Sequence, residues 1–138
     1  MTKLNPYINF KDNTKEAMDF YKSVFGGELT ISTFKEGMGQ DGPDADKIMH
    51  AMLIVGPEMT LMASDTPEHM EYKPAAGMGL SLSGENSDEE KLKGYWDKLS
   101  EGANVFMPMD KAPWGDTFGM LTDKFGISWM VNISGKKE

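Results

Sequence analysis

The feature that most constrains this chain is a strand–turn–strand pattern that occurs twice. In the second copy, runs of β-branched, aromatic and Met residues flank the turn Asp123-Lys124-Phe125-Gly126, and Gly126 can supply the positive φ that short hairpins favour. The first copy surrounds Gly56-Pro57-Glu58 in the same way. Two such hairpins in 138 residues predict a duplicated unit. The predicted hairpin strands are 48–55 with 59–64, and 116–122 with 127–134.

A helix pattern precedes each hairpin. The first begins with Asn13 and Glu16 in capping-box spacing and ends at Gly26-Gly27, and the second runs from Ser87 to Gly102. Strand patterns lie on both sides of each helix, at 3–10 and 28–34 in the first half and at 77–83 and 104–109 in the second. The order βαβββ therefore occurs twice. It predicts an α+β fold of two modules, approximately 1–66 and 75–138, within a single domain over 1–138.

Composition excludes several classes of function. The net charge is −8 and Lys and Arg are not clustered, so we expect no nucleic-acid partner. No apolar run approaches the ~20 residues of a membrane helix, and no secretory signal follows Met1, so we expect a cytoplasmic protein that does not contact a membrane. The absence of cysteine rules out disulfides and thiolate ligands.

Alternation along the strands assigns two faces to each predicted sheet. In the first strand Leu4, Pro6, Ile8 and Phe10 should lie under the helix, while Asn5, Tyr7 and Asn9 should face a cup. The same reasoning places Met78, Leu80 and Leu82 under the second helix. It places His50, Met52, Met62, Ser64, Met130 and Asn132 in the cup. We expect the two half-sheets to share a concave, polar and methionine-lined face that holds a small molecule.

Several segments together resemble one family. They are Pro6-Tyr7-Ile8-Asn9-Phe10, Phe20-Tyr21, Val24-Phe25-Gly26-Gly27, Met49-His50-Ala51, Leu61-Met62-Ala63-Ser64-Asp65 and the hairpin from Trp114 to Trp129. The chain resembles the PhnB-like family, also labelled 3-demethylubiquinone-9 3-methyltransferase-like, of the vicinal oxygen chelate superfamily. The resemblance implies the cupped glyoxalase/bleomycin resistance-like fold and a homodimer.

The superfamily's metal-dependent members carry His, Glu or Gln at four strand positions, which correspond here to Asn5, Met62, Gly77 and Met130. These are poor ligands for Mg, Mn, Zn or Fe(II), so we expect no metal and no cofactor. Despite the family label, we do not expect methyl transfer, because the chain has no clear counterpart of a glycine-rich cofactor loop after a strand.

Three functional hypotheses remain open. The protein binds an organic ligand in a metal-free cup, or it is a small metal-independent isomerase, lyase or hydrolase that uses His50, or its role is purely structural or partner-binding. His50 is either a structural histidine or an acid–base group. Asp65, Asp116 and Asp123 are expected to act in turns. The candidate ligand-binding residues are Tyr7, Asn9, His50, Met52, Met62, Ser64, Trp114, Met130 and Asn132.

The segment from Lys35 to Lys47 is a long connection rich in Gly and Asp. Its glycines and Pro43 bury little apolar area, which favours a mobile loop in the free protein. The segment is either a lid that becomes ordered over a bound ligand or a surface loop unrelated to the site.

Overall fold

The computed structural model describes residues 2–135, which form two compact units with their boundary between Pro74 and Ala75. The first unit contains β1 (Tyr7–Phe10), α1 (Thr14–Phe25), β2 (Glu28–Thr33), α2 (Phe34–Met38), β3 (Ile48–Ile54) and β4 (Thr60–Asp65). The second contains β5 (Leu80–Gly84), a 3₁₀ turn (Asn86–Asp88), α3 (Glu89–Leu99), β6 (Asn104–Lys111), β7 (Thr117–Thr122) and β8 (Ser128–Ile133).

The two units have the same sheet topology. The strand order is β1-β4-β3-β2 in the first sheet and β5-β8-β7-β6 in the second, and neither sheet closes on itself. In each sheet the first and last strands of the unit pair in parallel, and the remaining pairs are antiparallel. The predicted α+β fold with two βαβββ modules is therefore confirmed. None of the helices within residues 2–135 has the length and apolar character needed to cross a bilayer.

The core of the first unit lies between α1 and its sheet. The helix packs against β2, β3 and β4 and buries Met18 and Tyr21 completely, together with Leu53 of β3. The predicted capping box at Asn13 is wrong, because the Asn13 side chain makes no capping hydrogen bond. The carboxylate of Asp65, at the end of β4, instead accepts the backbone N–H groups of Thr14 at 3.1 Å and Ile48 at 2.8 Å.

The second unit places α3 on its own sheet. The sequence spaces four apolar residues at i, i+3, i+4 and i+7 along this helix: Leu92, Tyr95, Trp96 and Leu99. Leu92, Trp96 and Leu99 are buried as this spacing predicts, and Tyr95 is half-buried. The Trp96 ring needs a glycine beneath it: a Cβ added to Gly119 of β7 would lie 2.8 Å from Trp96 Cη2. Gly119 therefore allows the helix to approach the sheet closely.

Both parallel strands begin later than predicted. β1 starts at Tyr7 and β5 at Leu80, so Asn5 and Gly77 lie before the strands. Leu4 and Met78, which we expected under the helices, are 99% and 82% exposed. Alternating apolar residues extend beyond the hydrogen-bonded pairs, and a strand continues only where a neighbour pairs with it.

The segment from Lys35 to Lys47 is less irregular than predicted. It begins within α2, whose capping box joins Thr33 and Glu36. Backbone hydrogen bonds then link the two ends of the segment, including Lys35 N–H to the Ala45 carbonyl at 3.0 Å. The Lys47 ammonium pairs with Asp44 at 3.1 Å and with Asp12 at 3.2 Å. These contacts hold the segment to the first unit, and they could not be predicted from its glycine content.

Candidate functional site

The register of the first sheet brings six predicted site residues to one face. Tyr7 of β1 lies beside Met62 of β4, which in turn lies opposite Met52 of β3. Asn9 lies beside Ser64 in the next row of the same two strands. We call this set the first polar–methionine face. Its members are Tyr7, Asn9, His50, Met52, Met62 and Ser64.

The burial pattern shows that this face is the one turned away from α1. The intervening residues Ala51, Leu53 and Ala63 are fully buried, as alternation predicts for the helix side. His50 alternates with Ala51 and therefore lies on the first polar–methionine face. The centroid of its imidazole is 6.0 Å from the centroid of the Tyr7 ring. His50 and Met52 thus lie on the same face of β3, as alternation predicts.

Polar groups on this face have defined hydrogen-bonding roles. Ser64 Oγ donates to Asn9 Oδ1 at 3.2 Å, which leaves the Asn9 amide N–H groups as donors. Neither ring nitrogen of His50 has a hydrogen-bond partner within residues 2–135. The face therefore offers donors from Asn9 and a histidine that can either donate or accept.

Two neighbouring side chains were missed in the sequence analysis. Thr30 and Ser32 of β2 lie opposite Met52 and His50 and extend the two rows across the sheet. The alternation of Leu29 and Ile31 with these two polar residues is the sequence signal that places Thr30 and Ser32 on this face.

The second sheet carries a corresponding face. Met130 of β8 lies between Ser81 of β5 and Met120 of β7, and Asn132 lies between Ser83 and Phe118. We call this set the second polar–methionine face, with members Ser81, Ser83, Phe118, Met120, Met130 and Asn132. The Met62–Met52 and Met130–Met120 pairs occupy equivalent register positions in the two sheets. Phe118 and Met120 were not predicted as site residues; their pairing with Asn132 and Met130 places them on this face.

Trp114 lies in the turn before β7 and is 63% exposed. Its ring centroid is 5.8 Å from that of Phe118 in an edge-to-face arrangement. Trp114 is thus joined to the second polar–methionine face through Phe118.

Asp116 connects this turn to β8 and to the segment that follows it. Its carboxylate accepts a hydrogen bond from Gly135 N–H at 2.9 Å and another from Asn132 Nδ2 at 3.1 Å. The Gly135 bond above all, and then the Asn132 and Trp114 side chains, hold the pKa of Asp116 below its ordinary value. Asp116 was predicted only as a turn residue, and its link to Asn132 depends on strand pairing.

The residues present do not fit a divalent metal ion. Among residues 2–135, no three or more His, Cys, Asp or Glu side chains are grouped closely enough to hold one. Of the four positions derived from the superfamily, Met62 and Met130 lie on the two faces and offer only thioethers. The other two, Asn5 and Gly77, precede the strands. We therefore derive no step through a metal.

Comparison with known proteins agrees with this architecture. The model of the family described as 3-demethylubiquinone-9 3-methyltransferase matches residues 2–132. Protein PA1353 from Pseudomonas aeruginosa is 34% identical, with a TM-score of 0.86 over 99% of this chain and 100% of that one. A PhnB protein from Bacillus cereus is 25% identical, with a TM-score of 0.70 over 96% of this chain and 100% of that one.

The fold extends to more distant proteins. A glyoxylase/bleomycin resistance protein/dioxygenase domain from Frankia is 12% identical, with a TM-score of 0.65 over 100% of this chain and 96% of that one. At this identity the likeness concerns the fold alone. With the family match over nearly the whole chain, the protein belongs to the PhnB-like family described as 3-demethylubiquinone-9 3-methyltransferase.

Proposed function

We propose that this protein binds a small organic molecule through its polar–methionine faces, without a metal. The observation that carries the proposal is the pairing of two methionines at equivalent positions of each sheet, with hydrogen-bonding side chains in the adjacent row. Met side chains adapt their shape to a ligand, and a few polar groups then fix its orientation.

The burial of these residues supports the proposal. Tyr7 is 46% exposed, and Met52, Met62, Met120 and Met130 are half-buried. A sheet face that served only as core would bury its apolar side chains as fully as Ala51 and Leu53 are buried on the other side. A ligand on the first face would find aromatic, thioether, amide and imidazole groups within one patch.

A catalytic role is the second candidate. The proximity of the Tyr7 and His50 rings, with no hydrogen bond to His50 from the described residues, favours an imidazole available for proton transfer. The reaction would be a metal-independent isomerisation, elimination or hydrolysis. His50→Gln tests this role: we expect it to abolish turnover of a substrate while changing its affinity by less than about fivefold. Equal turnover by both proteins would exclude His50 as the acid–base group.

Methyl transfer is not part of the proposal. The segments that join β1 to α1 and β5 to α3 contain no glycine, and Gly84 is the last residue of β5, so neither connection is the glycine-rich turn of a nucleotide-binding strand and helix. The protein should therefore show no saturable binding of S-adenosylmethionine by calorimetry.

We also propose that the single domain acts as a cytoplasmic homodimer. β6 is an edge strand of the second sheet, and its Val105, Phe106 and Met107 are 36%, 52% and 45% exposed. An edge strand with exposed apolar side chains associates with other chains unless it is covered. A second copy of this chain would cover it.

Methionine methyl NMR tests the binding proposal. Protein labelled at Met Cε would be titrated with 6-methylquinoline, 6-aminoquinoline and quinoline-6-carboxylate, which share one ring system and differ in charge and hydrogen bonding. We expect saturable shifts at Met62 or Met130 with at least one probe. Met18, on the buried face of α1, and Met70, 58% exposed in a loop, serve as internal controls.

A matched pair of variants supports the assignment. Met130→Ala should weaken binding of the probe several-fold through lost apolar contact, whereas Met70→Ala should leave the affinity of the probe unchanged. If no probe shifts the face methionines saturably, or if the control methionines shift equally, the proposed binding function is wrong.

A further inference from the structure

An exposed aromatic pair stands at the edge of the second polar–methionine face. Trp114 and Phe118 meet edge to face, and most of the Trp114 surface is open to solvent. The other two tryptophans, Trp96 and Trp129, are 8% and 4% exposed. A large indole held in place by a neighbouring ring provides a preformed surface on which a planar ligand can stack.

The neighbouring amide of Asn132 has a fixed orientation. A carboxylate only accepts hydrogen bonds at neutral pH, so the contact with Asp116 Oδ2 must be made by Asn132 Nδ2. The amide oxygen, Asn132 Oδ1, then has no hydrogen-bond partner within residues 2–135. Asn132 therefore presents an acceptor on the same face as Phe118, with which it is paired in register.

The charges around this cluster are negative. Asp116 lies within it and Asp110 of β6 lies opposite Phe118. The adjacent Lys111 is paired with Thr117, so its side chain alternates to the other face. Asp116 is ionised at neutral pH, as an ordinary aspartate is, and the hydrogen bonds from Gly135 and Asn132 lower the pKa of its carboxyl group further. An anionic ligand would meet repulsion here.

We propose that Trp114, Phe118 and Asn132 form the recognition site for a planar aromatic ligand that carries an N–H or O–H donor and no negative charge. The proposal rests on the binding function above and names the chemical class of its ligand. Asp116 is a positioning residue: it fixes the Asn132 amide with its oxygen toward the ligand and holds the Trp114 turn. The donor of the ligand pairs with Asn132 Oδ1 while its ring stacks on the indole.

The indole N–H signal of Trp114 in a ¹⁵N-labelled sample reports binding directly. The spectrum contains three indole signals, and Trp114→Phe identifies the relevant one by its loss. The amino and methyl groups of 6-aminoquinoline and 6-methylquinoline are similar in size but differ in their ability to donate. One net hydrogen bond predicts that 6-aminoquinoline binds about fivefold more tightly, with quinoline-6-carboxylate weakest.

Variants separate contact from positioning. Asn132→Leu removes the acceptor at similar volume and should equalise the two neutral probes. Asp116→Asn lets the Asn132 amide turn over, so the fivefold preference should fall below about twofold while 6-methylquinoline affinity changes little. If Asp116 had a purely structural role, the substitution would instead weaken the binding of both neutral probes equally. Asp110→Asn is the control: it should raise only the affinity for quinoline-6-carboxylate.

The outcomes distinguish this inference from the proposed function. If the two neutral probes bind equally to the unaltered protein and still shift Met62 or Met130, the inference is wrong and the binding function stands. If Asn132→Leu retains the preference, Asn132 is not the acceptor and the inference is likewise overturned. If no probe binds at all, both the inference and the proposed binding function are wrong.

Discussion

Asp123→Asn removes a carboxylate that organises the turn between β7 and β8. Asp123 is 4% exposed, and its Oδ1 accepts the backbone N–H groups of Phe125 at 2.8 Å and Ile127 at 3.0 Å. Its Oδ2 accepts the indole Nε1–H of Trp129 at 2.9 Å. One buried side chain thus joins the turn to the core of the second sheet.

The expected loss of stability follows from the donors that remain. An asparagine can keep its oxygen toward the two backbone groups, but its amide N–H₂ then faces the Trp129 indole N–H. One charge-assisted hydrogen bond is lost and a buried donor is left unpaired, which costs about 2 to 3 kcal/mol in the free energy of unfolding. For a chain of this length the melting temperature should fall by roughly 6 to 12 °C.

Urea denaturation followed by far-UV circular dichroism measures this loss as a lower midpoint with an unchanged slope. Trp129→Phe supplies a matched background, because it removes the indole donor and keeps an aromatic ring. In that background Asp123→Asn should cost about 1 kcal/mol or less, so the two positions should be coupled by 1 to 2 kcal/mol, on the order expected for contacting residues. Asp97→Asn, on the exposed side of α3, should change stability by less than about 0.5 kcal/mol.

The reasoning fails if Asp123→Asn costs the same in both backgrounds. That result would mean that the indole contact contributes nothing and that the carboxylate acts through the turn alone.

Four further expectations concern the binding state of the protein and its response to pH. Elemental analysis after gentle dialysis should find no stoichiometric divalent metal, and about one ion per chain would contradict the donor chemistry. Light scattering should give a dimer at micromolar concentration, and Phe106→Lys should give the 15.3 kDa monomer. Because the pKa of Asp116 is lowered on folding, its contribution to stability is complete above the ordinary value of 3.8 and is lost as pH falls through the lower folded value. The Trp114 indole shift should therefore stay constant from pH 7 to pH 5 and change only in more acidic solution, with no such change in Asp116→Asn. Hydrogen exchange within residues 35–47 should slow when 6-aminoquinoline binds if the segment is a lid, and unchanged exchange would exclude that role.

The regular elements were predictable because their signals are local. The spacing of Leu92, Trp96 and Leu99 specifies one helix face, and all three are buried. The alternation of Trp129, Val131 and Ile133 specifies one strand face, which is buried in the same way. The repetition of these patterns was enough to predict two βαβββ modules. Each signal depends only on residues within a few positions along the chain.

The ends of these elements depended on distant partners. Asn13 has the spacing of an N-cap, yet Asp65, fifty-one residues from Thr14, accepts the hydrogen bond at the start of α1. The buried carboxylate of Asp65, which also accepts from Ile48, takes the capping role in place of the half-buried Asn13 amide. Likewise, Leu4 continues the alternation of β1 but has no paired strand to extend along, and it is exposed.

The candidate site shows the same division. Alternation alone placed Tyr7, His50 and Met62 on one side of their strands. That these side chains are neighbours is decided by the parallel pairing of β1 with β4 and the antiparallel pairing of β3 with β4. Asp116 reaches Asn132 only because β7 and β8 pair in one register. The sequence by itself thus determined which residues share a strand face, whereas hydrogen bonding between strands, a non-local interaction that a single-residue slip would reverse, decided which of them meet.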